Sequence, residues 1–414
     1  MSKLVPKLRF KEFSGEWEEK ILKKDNIVSD FIVPMRDKPK DLNGNIPWCR
    51  IEDFDGIYLY KSKTNQGVLP KTIKNMNLKV FPKNTLLVSC SADLGRCAIT
   101  KQELVTNQTF IGLVVNQNKA KVLFSYYLMI SLRKKLNALS SGTTIAYLPR
   151  QEFERLKILI PTPKEQQKIA NTLSSLDSLI EAQQRKVEAL KKHKKGLMQQ
   201  LFPAEGANVP KLRFKEFIGE WEEKKLGEIA LLTSSKRIYL SDYIDDGIPF
   251  YRGKEISQLR NNEIIDDLLY ISEAKYLEIK EKYGVPIKND ILITSVGTIG
   301  NIFRIKDNKK FYFKDGNLIW LKDIIIESSF LEYLLTKERD KILMSAIGSS
   351  QKALTMVGLN KIEIRIPTTP KEQQKIANTL SSLDNLIEAH QRKVEALKKH
   401  KKGLMQQMFV SEEG

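Results

Sequence analysis

Two long segments of the chain carry polar side chains suited to contacts with the edges of nucleic-acid bases. Arginine pairs with guanine through two hydrogen bonds, asparagine and glutamine pair with adenine, and serine, threonine and lysine more often hold phosphates. The candidates in the first segment are Arg50, Ser89, Ser91, Arg96, Asn107, Gln108, Thr143 and Thr144, and those in the second are Arg252, Lys254, Thr294, Ser295, Thr298, Asn301, Ser349, Ser350, Gln351 and Lys352. For each residue taken singly, the alternative is ordinary turn chemistry or solvation.

Residue types that support catalysis are sparse in both segments. The histidines, His193, His390 and His400, all lie in a repeated helical block, so neither a histidine-based triad nor a zinc site is expected. The chain contains no Walker A sequence, no Gly-x-Gly-x-x-Gly and no Asn- or Asp-Pro-Pro-aromatic tetrapeptide. Acidic residues are plentiful, which leaves a carboxylate nuclease site open. The simplest interpretation is a binding protein without catalytic residues, metal or cofactor of its own.

The two segments lie between blocks of sequence that occur twice. The blocks are repeat A, at residues 5–20 and 209–224, and repeat B, at residues 163–200 and 370–407. Repeat A differs between its copies at one position and repeat B at two. Variable segment 1 (residues 21–160) and variable segment 2 (residues 225–366) share only scattered residues. This duplication predicts one fold used twice, with two recognition surfaces of different specificity.

The shared residues of the variable segments predict a common α+β fold. The apolar runs Leu86–Val88 and Ile291–Ile293 each follow a Lys-Asn turn and are typical of buried strands. Gly95 and Gly300 are expected in tight turns beyond them. Further predicted elements are helical stretches near 122–138 and 328–344 and last strands at 156–160 and 362–366. The expected division is a domain at residues 1–160, a helix at 161–204, a second domain at 205–366 and a second helix at 367–414.

Repeat B has the heptad pattern of a coiled coil. Its first turn contains a predicted capping box, Thr162 to Glu165, copied at Thr369 to Glu372. The predicted seam residues are Ile169, Leu173, Leu176, Ile180, Gln183, Val187, Leu190, Lys194, Leu197 and Leu201, and in the second copy Ile376, Leu380, Leu383, Ile387, His390, Val394, Leu397, Lys401, Leu404 and Met408. A period of 3.5 residues indicates a left-handed coiled coil.

Two nearly identical helices in one chain are expected to pair about a pseudo-two-fold axis, which makes them antiparallel. The predicted register places Gln183 opposite Val394 and Val187 opposite His390. Gln183 and His390 are then either tolerated polar defects or residues that fix the register.

The composition favours a polyanionic partner. The 414 residues include 69 Lys and Arg against 50 Asp and Glu, a net charge of +19, and nucleic acid is the commonest polyanion. A lysine-rich proteome without a role in nucleic-acid binding is the alternative. Lysine clusters at 191–195 and 398–402 suit the helix C-terminal dipole, and they also suit DNA phosphates or a partner subunit. Cys49, Cys90 and Cys97 form neither a disulfide framework nor a CxxC pair, and no apolar leader or spanning stretch is present, so a cytoplasmic protein is expected.

The whole pattern resembles the specificity subunit (HsdS) of type I restriction-modification systems. The resemblance rests on Pro-Thr-Pro-Lys-Glu-Gln-Gln-Lys-Ile-Ala at 161–170, its copy at 367–377 with one inserted Thr, and the long helix after each. The turns at 89–95 and 294–300 and the run Gly348-Ser349-Ser350-Gln351-Lys352 also resemble the family's pattern. The first copy departs from it, with Gly142-Thr143-Thr144-Ile145-Ala146.

The resemblance implies two target-recognition domains, each binding one half of a bipartite site on double-stranded DNA. It implies two methyltransferase subunits bound along the helices and two ATP-driven restriction subunits. S-adenosylmethionine and ATP would then be bound by those partners, and the modified base would be an adenine in each half-site. The alternatives are the specificity chain of a system with a fused nuclease-methyltransferase, a basic coiled-coil scaffold that binds proteins only, and a DNA-cutting enzyme.

Overall fold

The computed structural model describes residues 4–35, 38–91, 93–140, 147–260, 263, 265–348 and 352–410. The chain divides into unit 1, residues 1–185 with 391–414, and unit 2, residues 186–390. The division falls inside both repeat B helices. Each unit therefore contains the first part of one repeat B helix and the last part of the other.

Unit 1 combines mixed sheets with short helices. Its strands are β1 (Glu18–Ile21), β2 (Val28–Ile32), β3 (Ile46–Cys49), β4 (Tyr58–Leu59), β5 (Gly67–Val68), β6 (Leu86–Ser89), β7 (Cys97–Thr100), β8 (Val105–Thr106), β9 (Phe110–Val115) and β10 (Lys157–Ile160). Its helices are a 3-10 turn (Ile51–Asp53), α1 (Pro70–Asn75), α2 (Val122–Ser131), α3 (Arg133–Ala138), α4 (Arg150–Arg155) and the start of α5 (Pro163–Leu201). The described strands form sheets in the orders β2-β9-β6-β7-β4, β5-β3-β8 and β1-β10.

Unit 2 repeats this plan with different loops. Its strands are β11 (Glu222–Lys225), β12 (Leu231–Thr233), β13 (Tyr243–Ile244), β14 (Ile248–Tyr251), β15 (Leu269–Ile271), β16 (Ile291–Thr294), β17 (Ile302–Arg304), β18 (Tyr312–Phe313), β19 (Leu318–Lys322) and β20 (Glu363–Ile366). Its helices are α6 (Leu226–Ile229), a 3-10 turn (Leu240–Asp242), α7 (Gly253–Arg260), α8 (Glu273–Tyr283), α9 (Ser328–Lys337), α10 (Arg339–Met344), α11 (Met356–Asn360) and the start of α12 (Pro370–Met408). The described sheet orders are β12-β19-β16-β17, β13-β15-β14-β18 and β11-β20.

The predicted α+β class is confirmed, and the buried strands are central in their sheets. Every residue of β6 and of β16 is buried. Each strand has antiparallel neighbours on both sides, with Leu86 opposite Leu113 and Ile291 opposite Leu321. The predicted helical stretch near 122–138 is two helices, because the chain turns at Leu132 between α2 and α3.

The two long helices run antiparallel in each unit, as the heptad pattern predicts. In unit 1 the Lys401 ammonium binds the Asp177 carboxylate at 2.6 Å, and in unit 2 Lys194 binds Asp384 at 2.6 Å. The predicted seam residues that are buried are Ile169, Leu173, Ile180, Val187, Leu201, Ile376, Leu380, Ile387, Val394 and Met408, and those that are half-buried are Leu176, Gln183, Leu190, Lys194, Leu197, Leu383, His390, Leu397, Lys401 and Leu404.

Each ion pair of the helices is completed by a tyrosine from the adjoining domain. The Tyr127 hydroxyl donates to Asp177 at 2.7 Å, and the Tyr333 hydroxyl donates to Asp384 at 2.7 Å. Burial and this hydrogen bond raise the pKa of Tyr127 above its ordinary value. The two lysines that the heptad pattern places in the seam are therefore held by matching contacts in the two units.

Repeat A ties the helices to each domain. The Arg9 guanidinium donates to both oxygens of Glu165, at 2.8 and 2.7 Å, and Glu165 is 1% exposed. The backbone N–H of Leu8 donates to the carbonyl of Gln407 at 2.9 Å, which attaches the same segment to α12. A single segment thus contacts the beginning of one long helix and the end of the other within unit 1.

The contacts of repeat A recur in unit 2 through its second copy. Arg213 donates through Nε and Nη2 to the two oxygens of Glu372, each at 2.8 Å, and the Leu212 N–H donates to the Gln200 carbonyl at 2.9 Å. One of the two hydrogen bonds of the predicted capping box is present at the first helix, where the Glu165 N–H donates to Thr162 Oγ1 at 3.5 Å. The carboxylates of Glu165 and Glu372 are bound by Arg9 and Arg213.

Candidate nucleic-acid interface

Turn 1 (residues 89–96) joins β6 to β7 and carries three of the predicted contact residues. The Ser89 N–H donates to the Arg96 carbonyl and the Gly95 N–H donates to the Ser89 carbonyl, both at 2.8 Å. Gly95 has a φ of +80°, and a Cβ there would lie 3.0 Å from Cγ of Arg133. Both the left-handed backbone and the close side chain favour glycine at this position.

Turn 2 (residues 294–301) joins β16 to β17 with the same geometry. The Thr294 N–H donates to the Asn301 carbonyl at 3.0 Å, and the Gly300 N–H donates to the Thr294 carbonyl at 2.8 Å. Gly300 has a φ of +75°, and a Cβ would lie 3.0 Å from Cδ2 of Leu343. The two turns therefore share one backbone frame, and they differ in the side chains that it presents.

Each turn is flanked by two further loops, and three of these four loops contain predicted contact residues. Backbone hydrogen bonds, in the order donor to acceptor, join Cys90 to Thr109 (2.9 Å) and Leu148 to Cys90 (2.8 Å) in unit 1, and Ser295 to Asn317 (2.8 Å) and Leu354 to Ser295 (2.9 Å) in unit 2. Three loops that are distant in sequence thus meet at one edge of the central sheet. This edge is the candidate interface of each unit.

Several predicted hydroxyl groups at this edge are directed inward. Ser89, Thr294 and Ser295 are at most 4% exposed. Ser89 Oγ donates to the carbonyl of Ser91, Thr294 Oγ1 to that of Thr298, and Ser295 Oγ to that of Gly316. These hydroxyls stabilise the turns, because a buried hydroxyl without a partner would be costly.

The predicted arginines that follow β3 and β14 are anchored at the start of the next helical turn. Arg50 donates through Nη2 to Gln66 Oε1 at 2.8 Å. Arg252 donates through Nη2 to Glu255 Oε1 at 2.6 Å, and Glu255 is fully buried. Burial alone would raise the pKa of Glu255, but hydrogen bonds from Arg252 lower it below its ordinary value. The charge of Arg252 is therefore largely compensated within the domain.

Turn 1 contains an acidic residue between two arginines. Asp93 accepts a hydrogen bond from Arg133 and lies 3.6 Å from Nη1 of Arg96. Arg96 also donates through Nη2 to the Phe54 carbonyl at 2.7 Å and lies over the Phe54 ring. Ser91 pairs with Tyr147 in an isolated bridge. The positive charge of turn 1 is thus partly neutralised by its own carboxylate.

Turn 2 is contacted by an arginine, Arg260, that sequence reasoning did not single out. Asn301 is 7% exposed, and its amide donates through Nδ2 to Ser257 Oγ at 2.8 Å. Its Oδ1 accepts from Nη1 of Arg260 at 2.8 Å. Ser257 and Arg260 lie on α7, which packs against this turn. No local signal marks Arg260, because its relation to turn 2 arises from a contact across 41 residues of sequence.

The remaining predicted contact residues fall into two groups. Gln108, Lys254, Thr298 and Lys352 have exposed side chains, and Asn107 is half-buried and accepts a hydrogen bond from Thr109 at 2.7 Å. Thr143, Thr144, Ser349, Ser350 and Gln351 lie outside the described residues. Contacts between any of these side chains and DNA stay a prediction.

The described part of the chain holds no group of three or more His, Cys, Asp or Glu residues arranged to bind a metal ion. Within the same part, no helix is long and apolar enough to cross a membrane. The cysteines are buried and unpaired. Burial raises the pKa of Cys49 and Cys97 to about 12 and that of Cys90 to about 11.

Comparison with known proteins relates both halves of the chain to one family. The model of the type I restriction modification DNA specificity domain matches residues 34–192 and again residues 218–399. The MjaVIII type I restriction enzyme specificity subunit of Methanocaldococcus jannaschii is 29% identical over 393 residues, covering 90% of each chain. The MjaIX specificity subunit of the same organism is 25% identical, covering 96% of this chain and 93% of the relative.

Solved structures show the same fold. The S subunit of the type I restriction-modification system from M. genitalium superposes with a TM-score of 0.62 at 18% identity, covering 98% of this chain and 99% of the other. A chain from a study of complex assembly and conformational transition in the type I R-M system gives a TM-score of 0.51 at 19% identity, covering 81% of this chain and 83% of the other.

Proposed function

The chain belongs to the type I restriction-modification DNA specificity family, and we propose that it selects a bipartite DNA site for a methyltransferase and restriction complex. The first target-recognition domain, residues 1–160, binds one half-site, and the second, residues 205–366, binds the other. The chain itself is noncatalytic. It acts by positioning catalytic partner subunits on DNA.

One observation supports this function above the others: the two units share a backbone frame but present different side chains from it. Turn 1 and turn 2 close through the same pair of hydrogen bonds, while Asp93 in one corresponds to Thr298 in the other. Base edges are read by side chains projected from a rigid frame, so different side chains on one frame select different sequences. A net charge of +19 supplies the attraction to the DNA backbone.

The helices of repeat B are the proposed docking surface for two methyltransferase subunits. Lys194 and Lys401 are occupied by ion pairs, but the neighbouring Lys192, Lys195 and Lys402 are exposed. Because the sequence of repeat B is nearly the same in both copies, two copies of one partner would find equivalent surfaces. Two restriction subunits complete the assembly. S-adenosylmethionine and ATP belong to those partners, and adenine is the modified base in each half-site.

The deciding experiment maps methylated bases in the native host with and without this chain. Loss of N6-methyladenine at a single bipartite motif on deletion is the expected result, and it would give both half-sites and the spacer. An unchanged map in a host that expresses the partner subunits would favour a basic coiled-coil scaffold that binds proteins only. DNA binding by the purified complex then distinguishes the specificity subunit from the scaffold. Only the specificity subunit should bind DNA with an affinity that depends on sequence and weakens with salt.

Domain exchange tests the assignment of one half-site to each domain. Replacement of residues 21–160 by the segment of a relative should change one half-site and leave the other unchanged. Altered sequences in both half-sites would contradict the assignment. Insertion of four residues at matched places in both repeat B helices should change the spacer and neither half-site.

A further inference from the structure

Helix α7 distinguishes unit 2 from unit 1 at the candidate interface. After β3, the backbone N–H of Arg50 donates to Asp53 at 2.7 Å, and after β14 the N–H of Arg252 donates to Glu255 at 2.7 Å. The two helical turns thus begin in the same way. In unit 1 the helix ends at Asp53, whereas in unit 2 it continues to Arg260. The extension places a helix against turn 2 that turn 1 lacks.

The end of α7 is fixed to turn 2 through Asn301. A guanidinium only donates hydrogen bonds, so the Asn301 oxygen must be the atom that faces Arg260, and the Asn301 nitrogen then faces Ser257. Both ends of this amide are thereby occupied, which leaves Asn301 poorly suited to contact a base directly. The contact orients Arg260, whose side chain is otherwise exposed.

Two arginines, Arg260 and Arg339, lie beside turn 2. Arg339 donates to the carbonyls of Gly300 and Ile299 at 3.2 and 3.3 Å. Among the residues that the structure describes, no ion pair joins Arg260 or Arg339 to an acidic side chain. Removal of part of the guanidinium from water and the neighbouring Arg339 lower the pKa of Arg260 below its ordinary value, while the Glu332 carboxylate, which binds Arg304, acts in the opposite direction. In turn 1, Asp93 stands at the position that Thr298 has in turn 2, and its carboxylate binds Arg133.

Arg260 has the donors that guanine requires. One N–H of Nη1 is used by Asn301, and no described residue accepts a hydrogen bond from Nε or Nη2, which can therefore donate to an external acceptor. Guanine presents O6 and N7 as adjacent acceptors in the major groove, the arrangement that a forked guanidinium matches. A phosphate can also accept two hydrogen bonds from the guanidinium, but its several pairs of oxygens allow more than one orientation of the fork, whereas O6 and N7 of guanine require one orientation. The Asn301 and Ser257 contacts supply that orientation, which favours a base over a phosphate.

We propose that Arg260 is a specificity-determining residue that reads a guanine in the second half-site, and that Asn301 positions its guanidinium. This inference rests on the proposed function of the chain. It assigns the guanine contact to the extension of α7 in unit 2. In the described part of unit 1, where the helix ends at Asp53, no residue corresponds to Arg260.

The test replaces the chain in its host with Arg260→Ala, Arg260→Lys or Asn301→Ala and maps methylated adenines. Arg260→Ala should admit other bases at one guanine position of the second half-site, because loss of a forked contact reduces discrimination by about 5- to 100-fold. Arg260→Lys should also relax this position, since a lysine keeps the charge without the fork. Asn301→Ala should relax the same position to a smaller extent.

The first half-site serves as the internal control for folding and assembly, and Lys280→Ala, at an exposed position on α8, is the charge-matched control. Relaxation confined to one guanine, with the first half-site and the control unchanged, supports the proposal. A uniform loss of methylation that Arg260→Lys restores would show a phosphate contact and overturn it, as would an unchanged motif. If Arg260→Ala abolishes methylation at both half-sites through misfolding, Arg260→Lys decides between these outcomes.

If the methylated motif persists when the chain is deleted from its host, both the proposed function and this inference are refuted. A motif that depends on the natural chain but is unaffected by the Arg260 variants would refute the inference alone.

Discussion

Turn 1 and turn 2 share the same backbone hydrogen bonds, but only turn 1 carries an acidic side chain that pairs with nearby arginines. Turn 1 carries Asp93 next to Arg133 and Arg96, and turn 2 carries Thr298 where the carboxylate would be. Repeat A shows no such divergence: the Arg9–Glu165 and Arg213–Glu372 distances agree within 0.1 Å.

The difference follows from what each region contacts. Repeat A binds helices whose own sequence is repeated, so a change on one side would leave a buried charge without its partner. The turns face outward, and their side chains are free to differ as long as the backbone frame is kept. Identical contacts therefore mark the supporting structure, and differing charges mark the recognition surface.

The largest expected effect comes from removing the buried carboxylates of the supporting structure. Glu165→Ala and Glu372→Ala should each lower the free energy of unfolding by about 3–5 kcal/mol, because an arginine remains buried without a counter-charge. Glu372→Ala should cost about 1 kcal/mol more, since Trp221 Nε1 donates to Glu372 at 3.3 Å while Trp17 Nε1 has no hydrogen-bond partner among the described residues. Denaturant unfolding of the full chain measures both losses.

The variants that remove both charges, Arg9→Met with Glu165→Gln and Arg213→Met with Glu372→Gln, are the controls for this prediction. Each should be less harmful than the single loss of the carboxylate. If all variants lowered the free energy of unfolding by the same small amount, the contacts of repeat A would not stabilise the attachment of the helices.

A smaller effect is expected from the lysines in the helix seam. Lys401→Met should lower the free energy of unfolding by about 1.5–3 kcal/mol, the range for hydrogen bonds to charged groups. Lys194→Met should cost less, because its partner Asp384 is 41% exposed while Asp177 is 19% exposed. Lys402→Met, at an exposed neighbouring position, is the matched control. A greater loss at Lys194 than at Lys401 would contradict the burial argument.

Exchange of the acidic residue between the turns should change how DNA binding depends on salt. Asp93→Thr frees Arg96 and Arg133 for phosphates, so the slope of log K against log salt should steepen by about 1. Thr298→Asp should reduce the slope by a similar amount. Titration of the assembled complex with its DNA site at several salt concentrations measures both. Unchanged slopes in both variants would mean that the turns lie away from the DNA backbone.

The smallest expected effect concerns the rate at which thiol reagents label the cysteines, which lie only in unit 1. Burial raises the pKa of all three, to about 11 for Cys90 and about 12 for Cys49 and Cys97, so almost no thiolate forms near neutral pH. The folded chain should therefore resist thiol reagents, and Glu165→Ala should increase the rate of labelling more than Glu372→Ala. Rapid labelling of the folded chain would contradict this prediction.

The same shift predicts a dependence of stability on pH. Because the thiol pKa is raised above its ordinary value of 9.0, the folded state of unit 1 retains protons that the unfolded state loses. The contribution of the thiols to stability is complete below that ordinary pKa and declines as the pH rises toward the raised values.

The sequence determined the elements whose pattern is local. The heptads of repeat B, with proline at the first helical position, predicted both long helices, and the apolar runs before Gly95 and Gly300 predicted the central strands. Near-identical repeats predicted the antiparallel pairing, since a helix that meets a copy of itself about a two-fold axis must run against it.

Only the tertiary structure decided which polar side chains face outward. Ser89, Thr294 and Asn301 read as contact residues in the sequence, yet each is bound inside its domain. Arg9 and Glu165 are 156 residues apart, and no local pattern joins them. The periods of helices and strands are written in neighbouring residues, whereas the partner of a side chain depends on which distant segments the fold brings within about 3 Å.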